Sequence, residues 1–549
     1  MANKKLKVAF LGGVGEIGKN MTLLECGEDI IIIDAGLSFP TDDMPGIDVV
    51  IPDFSYLIER KDKVRAILTT HGHEDHIGAI PFVLKELKKV PVYGSKLTLA
   101  LIEHKLIEHK VEKAKLIPIT YGKKIKLGCF TAEFIKVCHS ISGAAALAIE
   151  TPSGLVFHTG DYKIDFTPID DEPTDLGRLA EIGNRGVTLM LGESTNIERE
   201  GYSMSERTVG ATFDRIFGAN QDKRIIVATF ASNVHRIQQI IDLAAKYGRR
   251  VGFVGRSVAN VAEMAVKIGE LKKRDEFVAI ERIKDVPDDK LVIICTGSQG
   301  EPMSALSRMA SGNAKVKIGK NDTIVVSSTP IPGNEKYVFN VINNLYRLGA
   351  DVIYQALEDV HVSGHACREE IKTMHALIKP KYFMPVHGEY RHLKQHAELA
   401  ISLGMAAENI LIPDLGDCVE VGRGGLRRAA QIKAGQLLVD GAILDDTASV
   451  VLHDRQRLAE EGFLIVVIGL MKQGKKPYTG PELITRGFAL PQEEMDELAN
   501  IINSILKNYE IIKSFDRDEI VAAVKKAMKK YLYKHHKKAP MILPIVMEN

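Results

Sequence analysis

Short apolar runs separated by glycine, aspartate and proline open the chain. Val8 to Leu11, Thr22 to Glu25, Ile30 to Asp34 and Ala66 to Thr70 follow the rhythm of strands and turns. The pattern then changes. Ile77, Ile80, Val83, Leu84 and Leu87 fall on one helical stripe that ends in Lys88 and Lys89, cations suited to a helix C-terminus. A strand therefore enters a helix through Thr69 to His76. Between Ser205 and Tyr354, strands alternate with helices: Arg224 to Phe230, Val234 to Tyr247, Val251 to Val254, Val258 to Leu271, Leu291 to Thr296. That alternation predicts a parallel α/β sheet. Val352 to Gln355 and Lys381 to Pro385 read as further strands ending in histidine-bearing loops, so chemistry like that of the first region resumes and the alternating block reads as an insertion. Beyond Asp446, a strand at Phe463 to Leu470 and helices at Glu493 to Lys507 and Asp518 to Lys530 predict a separate C-terminal domain.

The 549 residues exceed what one core holds, and at about one domain per 150 residues three or four are expected. Hydrophobic residues at 45% and charged residues at 26% exclude a fibrous or largely disordered chain. The net charge of +1 does not advertise a polyanion partner, although a balanced total leaves room for a basic groove. Met-Ala-Asn-Lys-Lys-Leu-Lys passes into a strand without the apolar stretch of a secretory signal. The longest apolar runs, such as Ile30 to Ile33, fall far below the roughly 20 residues that span a bilayer. A cytoplasmic location and no membrane partner are expected. Cys26, Cys129, Cys138, Cys295, Cys367 and Cys418 are scattered without a Cys-x-x-Cys pair, so reduced thiols are expected.

Thr69-Thr70-His71-Gly72-His73-Glu74-Asp75-His76 places four possible metal ligands within six residues at a strand-to-helix junction. His71 and His73 can project together from a turn, while Asp75 and His76, on the helix side, can address a second ion. Each zinc takes about four ligands, so more must come from elsewhere. His139 in Val-Cys-His-Ser, Asp161 in Phe-His-Thr-Gly-Asp and His387 in Met-Pro-Val-His-Gly-Glu each end a predicted strand and can reach one sheet edge. A lone histidine is ordinarily a satisfied core or surface residue; the cluster reverses those odds. His158 is left outside the ligand set, and Cys138 reads as core because its side chain points to the other strand face. Gly12 to Gly18 suggests a dinucleotide loop, but the helix and distal acid that motif requires do not follow.

On these residues the sequence resembles the metallo-β-lactamase superfamily and, within it, the β-CASP nucleases, most closely the ribonuclease J family. Asp34, His71 to His76, His139 and Asp161 fill the four lactamase motifs, and Glu193, His365 and His387 the three β-CASP motifs. Gly-Glu-Ile-Gly-Lys-Asn at 15–20, Phe-Ala-Ser-Asn-Val-His-Arg at 230–236 and Pro-Met-Ile-Leu-Pro-Ile-Val-Met at 540–547 narrow the match. The resemblance implies an α/β protein: a metallo-β-lactamase αββα sandwich (1–205 and 355–446) interrupted by a β-CASP α/β domain (206–354), then a linker (447–462) and a small C-terminal α+β domain (463–549). It implies two Zn2+, with Mn2+ or Mg2+ as substitutes. His71, His73 and His139 would hold one ion, Asp75, His76 and His387 the other, Asp161 would bridge them, and Asp34 would orient. It also implies a structural Ca2+ in some members, placed here near Asp48 and Asp440.

Two such ions serve a phosphodiester, a β-lactam or a thioester equally, so other residues select the substrate. A histidine positioned by a carboxylate can protonate a leaving oxygen, and His365 with Glu193 matches that pair. In the β-CASP family RNA-directed members carry His at this position where DNA-directed members tend to carry Val. Glu193 stands where close relatives often have Asp, which changes its reach. His361-Val362-Ser363-Gly364-His365 and Ser232-Asn233 combine hydroxyls, an amide and a small residue suited to phosphate oxygens; by resemblance they hold the nucleotide and a 5′-monophosphate, with Arg256 assisting. Ser257 beside it reads equally well as a helix cap. The resemblance further implies a ribonuclease with 5′ to 3′ exonuclease and endonuclease action on 5′-monophosphate RNA, a homodimer or homotetramer, and a place in an RNA degradation complex. A DNA repair nuclease of the same family and a catalytically idle RNA-binding scaffold are the rivals. Lys525, Lys526, Lys529, Lys530, Lys534, Lys537 and Lys538, around Tyr531 and Tyr533, read first as a solvated helix face and second as an RNA contact.

Overall fold

A computed structural model describes residues 5–548 except 42, 171, 273–276, 300, 302, 331–333, 423, 442, 445, 446, 471–476 and 513–515. The chain divides into two compact units, Met1–Ser38 with Ile51–Gln436, and Phe39–Val50 with Leu437–Asn549.

In the first unit, two sheets share a core. One has eight strands in the order Gly425–Arg428, Cys418–Gly422, Leu6–Gly12, Met21–Cys26, Asp29–Ile33, Val64–Leu68, Val92–Gly94, Leu116–Pro118. The other has six: Tyr382–Val386, Val187–Glu193, Gly154–His158, Ala145–Thr151, Phe130–Lys136, Lys124–Leu127. Alternate residues of both, among them Val8, Phe10, Ile31, Ile33, Phe134, Leu147, Leu191 and Met384, interleave between the sheets. On the far face of the second sheet Ile135, Phe157, Met190 and Phe383 bury helices Leu176–Asn184, Arg368–Ile378 and Tyr390–Ser402. This is the sandwich expected, with helices outside.

The insertion is a third sheet of six parallel strands, Phe277–Val278, Arg250–Val254, Leu291–Cys295, Arg224–Ala228, Asp322–Val326, Asp351–Tyr354. Ile225, Val227 and Val292 face helices Glu206–Ala219 and Val234–Lys246, while Ile226, Ile293 and Ile324 face Ala305–Ala310 and Glu335–Arg347. Burial on both faces explains why these strands read as continuous apolar runs. Asp351–Tyr354 is this sheet's edge, paired with Asp322–Val326. The chain therefore returns to the sandwich only after Tyr354. The helix expected from Ile77 to Lys88 is two pieces, Glu74–Ile77 and Ile80–Glu86. Pro81 has no N–H to bond back to Ile77, which breaks the run and frees the first turn for the site.

In the second unit, strands Pro477–Arg486, Phe463–Leu470 and Met541–Glu548 form a sheet. Helices Gln492–Ile512 and Arg517–His536 cover one face through Leu464, Val466, Leu498, Ile502, Val524, Met528 and Leu532. Residues expected as a linker form helix Thr447–Glu461. From it Arg455 extends to the Asp440 carboxylate, 2.7 Å, and the Gly46 carbonyl, 2.8 Å. A Cβ on Gly46 would lie 2.5 Å from that guanidinium. Asp48 accepts the N–H of Gly441 at 2.8 Å. Asp48 and Asp440, the carboxylates expected near a calcium, thus have Gly441 and Arg455 as partners among the described residues. Among the described residues no helix is long and apolar enough to cross a membrane.

Candidate metal centre

Six strands deliver the site from their C-terminal ends. Val64–Leu68 leads through Thr70 to His71 and His73, and the short helix Glu74–Ile77 presents Asp75 and His76. Asp34 follows Asp29–Ile33, His139 follows Phe130–Lys136, Asp161 follows Gly154–His158, Glu193 ends its strand, and His387 follows Tyr382–Val386. The pairing of Val187–Glu193 with its parallel neighbours Gly154–His158 and Tyr382–Val386 sets Asp161, Glu193 and His387 side by side.

Four of the five imidazoles, those of His71, His76, His139 and His387, are anchored at one nitrogen. The Asp34 carboxylate accepts the Thr70 N–H and hydroxyl, both at 2.7 Å, and the His76 Nδ1–H at 2.7 Å. Because the Thr70 hydroxyl donates to Asp34, its oxygen is free to accept from His71 Nδ1 at 3.1 Å. His139 Nδ1 donates to the Gly364 carbonyl at 2.7 Å. A Cβ at residue 364 would stand 2.7 Å from the His139 ring, so only glycine lets that carbonyl approach. Thr195 donates its hydroxyl to the His387 carbonyl at 3.2 Å and accepts from His387 Nδ1 at 2.6 Å. These anchors fix tautomers that turn Nε2 lone pairs of His71, His76, His139 and His387 inward.

The inward atoms form two groups. His71 Nε2, His73 Nδ1 and His139 Nε2 converge, with 3.0 and 3.2 Å from His73 to the other two. Asp75 Oδ2, His76 Nε2 and His387 Nε2 lie 3.2–3.5 Å apart. Asp161 Oδ2 stands between them, 3.6 Å from His71, 3.9 Å from His139, 3.2 Å from His76 and 3.5 Å from His387. Burial pushes His71 and His139 well below the usual imidazole range and His73 to about 4, so all three are neutral. Burial opposes charge on His76 too, but Asp161, Asp75 and Asp34 overcome it and hold its pKa well above the ordinary value. Converging imidazole nitrogens and buried carboxylate oxygens are a donor set that a cation satisfies. The chain carries a metal site.

Next to it, His365 Nδ1 donates to Glu193 Oε2 at 3.1 Å. Glu193 is buried, and its other oxygen accepts the N–H groups of Tyr162 and Ala366. Burial disfavours the imidazolium of His365, but the charge and hydrogen bond of Glu193, with Asp161 and Asp75, raise it to about 9. In the preceding loop Ser363 Oγ accepts Asn196 Nδ2 at 2.7 Å. His361 Nδ1 is buried with no partner among the described residues. The other expected contacts differ in kind. Val362 is buried in the core of the inserted domain, and the Asn233 side chain caps helix Val234–Lys246 by accepting the Arg236 N–H at 3.0 Å. Val362 has only its backbone left for a ligand, and Asn233 its backbone and Nδ2 amide. Ser232 is half-buried, and Arg256 is exposed at the start of helix Arg256–Ile268. Gly255, not Ser257, is that helix's cap.

Several residues at the site were not singled out from sequence. Asn20 Nδ2 lies 3.2 Å from His76 Nε2 and donates to the Asp75 carbonyl at 3.0 Å. Thr70 and Thr195 are hydroxyls adjoining motif residues, a signal visible in Thr-Thr-His and Glu-Ser-Thr. Ser194 accepts from His396 Nδ1 at 3.0 Å, and His396 Nε2 faces His375 Nε2 at 3.0 Å. This chain of bonds ties the turn bearing Glu193 and Thr195 to two outer helices. Arg236, fully buried, pairs with Glu206 and donates to Ser327 and the Val360 carbonyl. His158 lines the same recess as His76 and accepts the Gly160 N–H. Cys138 is buried, and all six cysteines are free. No helix follows Leu6–Gly12, whose glycine loop instead gives the Gly13 carbonyl to the His387 N–H.

Family models match four stretches: the metallo-beta-lactamase superfamily over 14–176, the ribonuclease J beta-CASP domain over 222–345, the Zn-dependent metallo-hydrolase RNA specificity domain over 349–413, and the ribonuclease J C-terminal domain over 450–549. Ribonuclease J2 of Bacillus subtilis is 41% identical over 99% of both chains. Ribonuclease J of Thermus thermophilus is 41% identical over 99% of this chain and 95% of its own, and that of Mycolicibacterium smegmatis 40% over 99% and 97%. A solved structure described as a protein of unknown function from Enterococcus faecalis covers 76% of this chain and 100% of its own, with a TM-score of 0.54 at 18% identity, a likeness of fold alone. Matched along its whole length, the chain belongs to the ribonuclease J family, metal-dependent ribonucleases that carry a β-CASP domain inside a metallo-β-lactamase fold.

Proposed function

We propose that this ribonuclease degrades RNA from a 5′-monophosphate end in the 5′ to 3′ direction, and also cuts internally, with two metal ions, Zn2+ first and Mn2+ or Mg2+ as substitutes. His71, His73 and His139 would hold one ion and Asp75, His76 and His387 the other, with Asp161 placed to serve either. The observation that carries the reading is the position of Asp161 Oδ2 within 3.9 Å of a nitrogen from each triad, with His365 beside it at 3.8 Å.

When bound, two such ions acidify water and offset charge growing on a phosphoryl oxygen. The chain's own residues do the rest. Asp34, Thr70, Gly364 and Thr195 hold the four anchored rings in the tautomers that face inward. Glu193 accepts from His365 Nδ1 and stabilises the imidazolium, so His365 carries a proton at Nε2 for the departing ribose oxygen. With a pKa of about 9, that proton is present at neutral pH. Ser363, Ser232 and His361 Nδ1, which has no hydrogen-bond partner among the described residues, supply the polar groups for the 5′-phosphate, with backbone of Asn233, Val362 and Gly364 and the exposed Arg256 as further contacts.

The same reading divides the chain at 205, 354, 446 and 462, and gives a cytoplasmic homodimer or homotetramer working with other RNA-degrading proteins in rRNA maturation and mRNA decay. Leu543, Ile545 and Met547, which expose a row on strand Met541–Glu548, supply apolar surface for self-association. Digestion of end-labelled RNA bearing a 5′-monophosphate or 5′-triphosphate, with and without chelator, tests the activity. Mononucleotides released only from the monophosphate form, and only without chelator, are the expected outcome; equal release from both forms ends the proposal of end sensing.

A further inference from the structure

Helix Arg517–His536 packs Ile520, Val524, Met528 and Leu532 into the core of the second unit. Its opposite side carries Lys525, Lys526, Lys529, Lys530 and Lys534, continued by Lys537 and Lys538, all exposed. None of the seven forms an ion pair among the described residues, while Glu494 and Glu497 of the neighbouring helix are taken by His536 and Tyr531. No Asp or Glu occurs from Ile520 to Met547, in a chain whose totals are 72 basic and 71 acidic residues. A face that only meets water mixes signs, as helix Tyr390–Ser402 does with its Lys394–Glu398 pair at 3.9 Å. A single-signed stripe is the footprint of a polyanion partner. At about 1.5 Å per residue the stripe runs roughly 20 Å, the reach of about six phosphates on a stacked strand. Tyr533, 58% exposed within the stripe, has the Lys537 ammonium 5.4 Å over its ring. An open aromatic face amid cations suits an unpaired base.

We infer that this lysine face is an auxiliary docking surface for single-stranded RNA, separate from the metal centre, that retains long substrates. An anionic membrane is the poorer fit, because the helix has spent its apolar side on its own core and keeps none to insert.

The test replaces Lys525, Lys526, Lys529 and Lys530 of the full chain together, once by Gln and once by Arg. With RNAs of about 8 and about 80 nucleotides, the Gln variant should raise KM about tenfold on the longer only, leave kcat unchanged, and flatten the salt dependence of binding by up to about 3 in log–log slope. The Arg variant should match the parent, and a 4-thiouridine-bearing RNA should cross-link to the peptide containing Tyr533. An unchanged salt slope and KM on the long RNA overturns the inference. So does equal loss on both RNAs, which places the effect at the metal centre, or a changed sedimentation coefficient, which makes the face a contact between copies. Binding of the parent, but not the Gln variant, to phosphatidylserine vesicles with RNA kinetics intact would assign the face to lipid instead.

Discussion

The metal centre and the lysine face of helix Arg517–His536 both concentrate charge, and they do it by opposite means. In the centre, residues from as far apart as Asp34 and His387 converge; His71, His76, His139, Asp161 and His387 are buried, and each anchored ring depends on a named partner. On the lysine face, seven like charges fall within one short stretch from Lys525 to Lys538, exposed, and without ion pairs among the described residues. Burial makes electrostatics strong and intolerant of a lost partner; exposure makes each charge weak, salt-screened and replaceable. The first arrangement suits bond cleavage and the second suits retention.

The comparison breaks hardest at the ligands. Asp75→Ala with His76→Ala should lower single-turnover cleavage by about 10³-fold or more, reduce bound metal in elemental analysis, and leave RNA binding detectable. Cleavage that survived would remove the centre from the mechanism. Next comes the proton donor, where His365→Ala should cost about 10²- to 10⁴-fold in kcat. His365 is raised to about 9, so its protonated form is present below that pH and lost as pH rises through it. Glu193→Gln takes away the raising carboxylate, and the alkaline limb of the kcat profile should move to lower pH by about 1 to 3 units. Coincident limbs would mean that Glu193 does not act through His365.

Smaller effects sharpen the contrast. Thr195→Val keeps the shape of the side chain but strips His387 Nδ1 of its acceptor. Metal affinity should fall about 10- to 100-fold in chelator competition, where a purely structural role would move only the melting temperature. At the small end, Arg455→Ala breaks a partly exposed pair with Asp440 and should cost about 1 kcal/mol or less in urea unfolding. Added calcium that raises the parent's midpoint would assign an ion to Asp48 and Asp440; an unchanged midpoint would leave Asp440 to Arg455 alone.

Legibility followed the same division. The turn from His71 to His76 stood out because contiguous residues at a strand end need no knowledge of the rest of the fold. The parallel inserted sheet was legible because burial on both faces leaves unbroken apolar strands. Val362 and Asn233 read as ligand contacts from composition and from the family resemblance; packing sends the Val362 side chain into a core and engages Asn233 Oδ1 at a helix start. Thr195, Asn20 and Gly364 were missed in their roles because each acts on a ring distant in sequence or packed against it from another loop. The lysine stretch was visible, but whether acids face it was not, since Glu494 and Glu497 come from another helix and are held by Tyr531 and His536.

The order of amino acids by itself determined which strands are buried on both faces, where the metal-binding residue types stand, and the sign of charge on the C-terminal helix. All three depend on identity and near neighbours. Only the tertiary structure decided which histidine nitrogen points inward, that Asp161 stands between the two triads, and that Asp440 meets an arginine. Those outcomes depend on which backbone carbonyl, hydroxyl or guanidinium lies within about 3 Å, and distance in space is set by how the sheets pack.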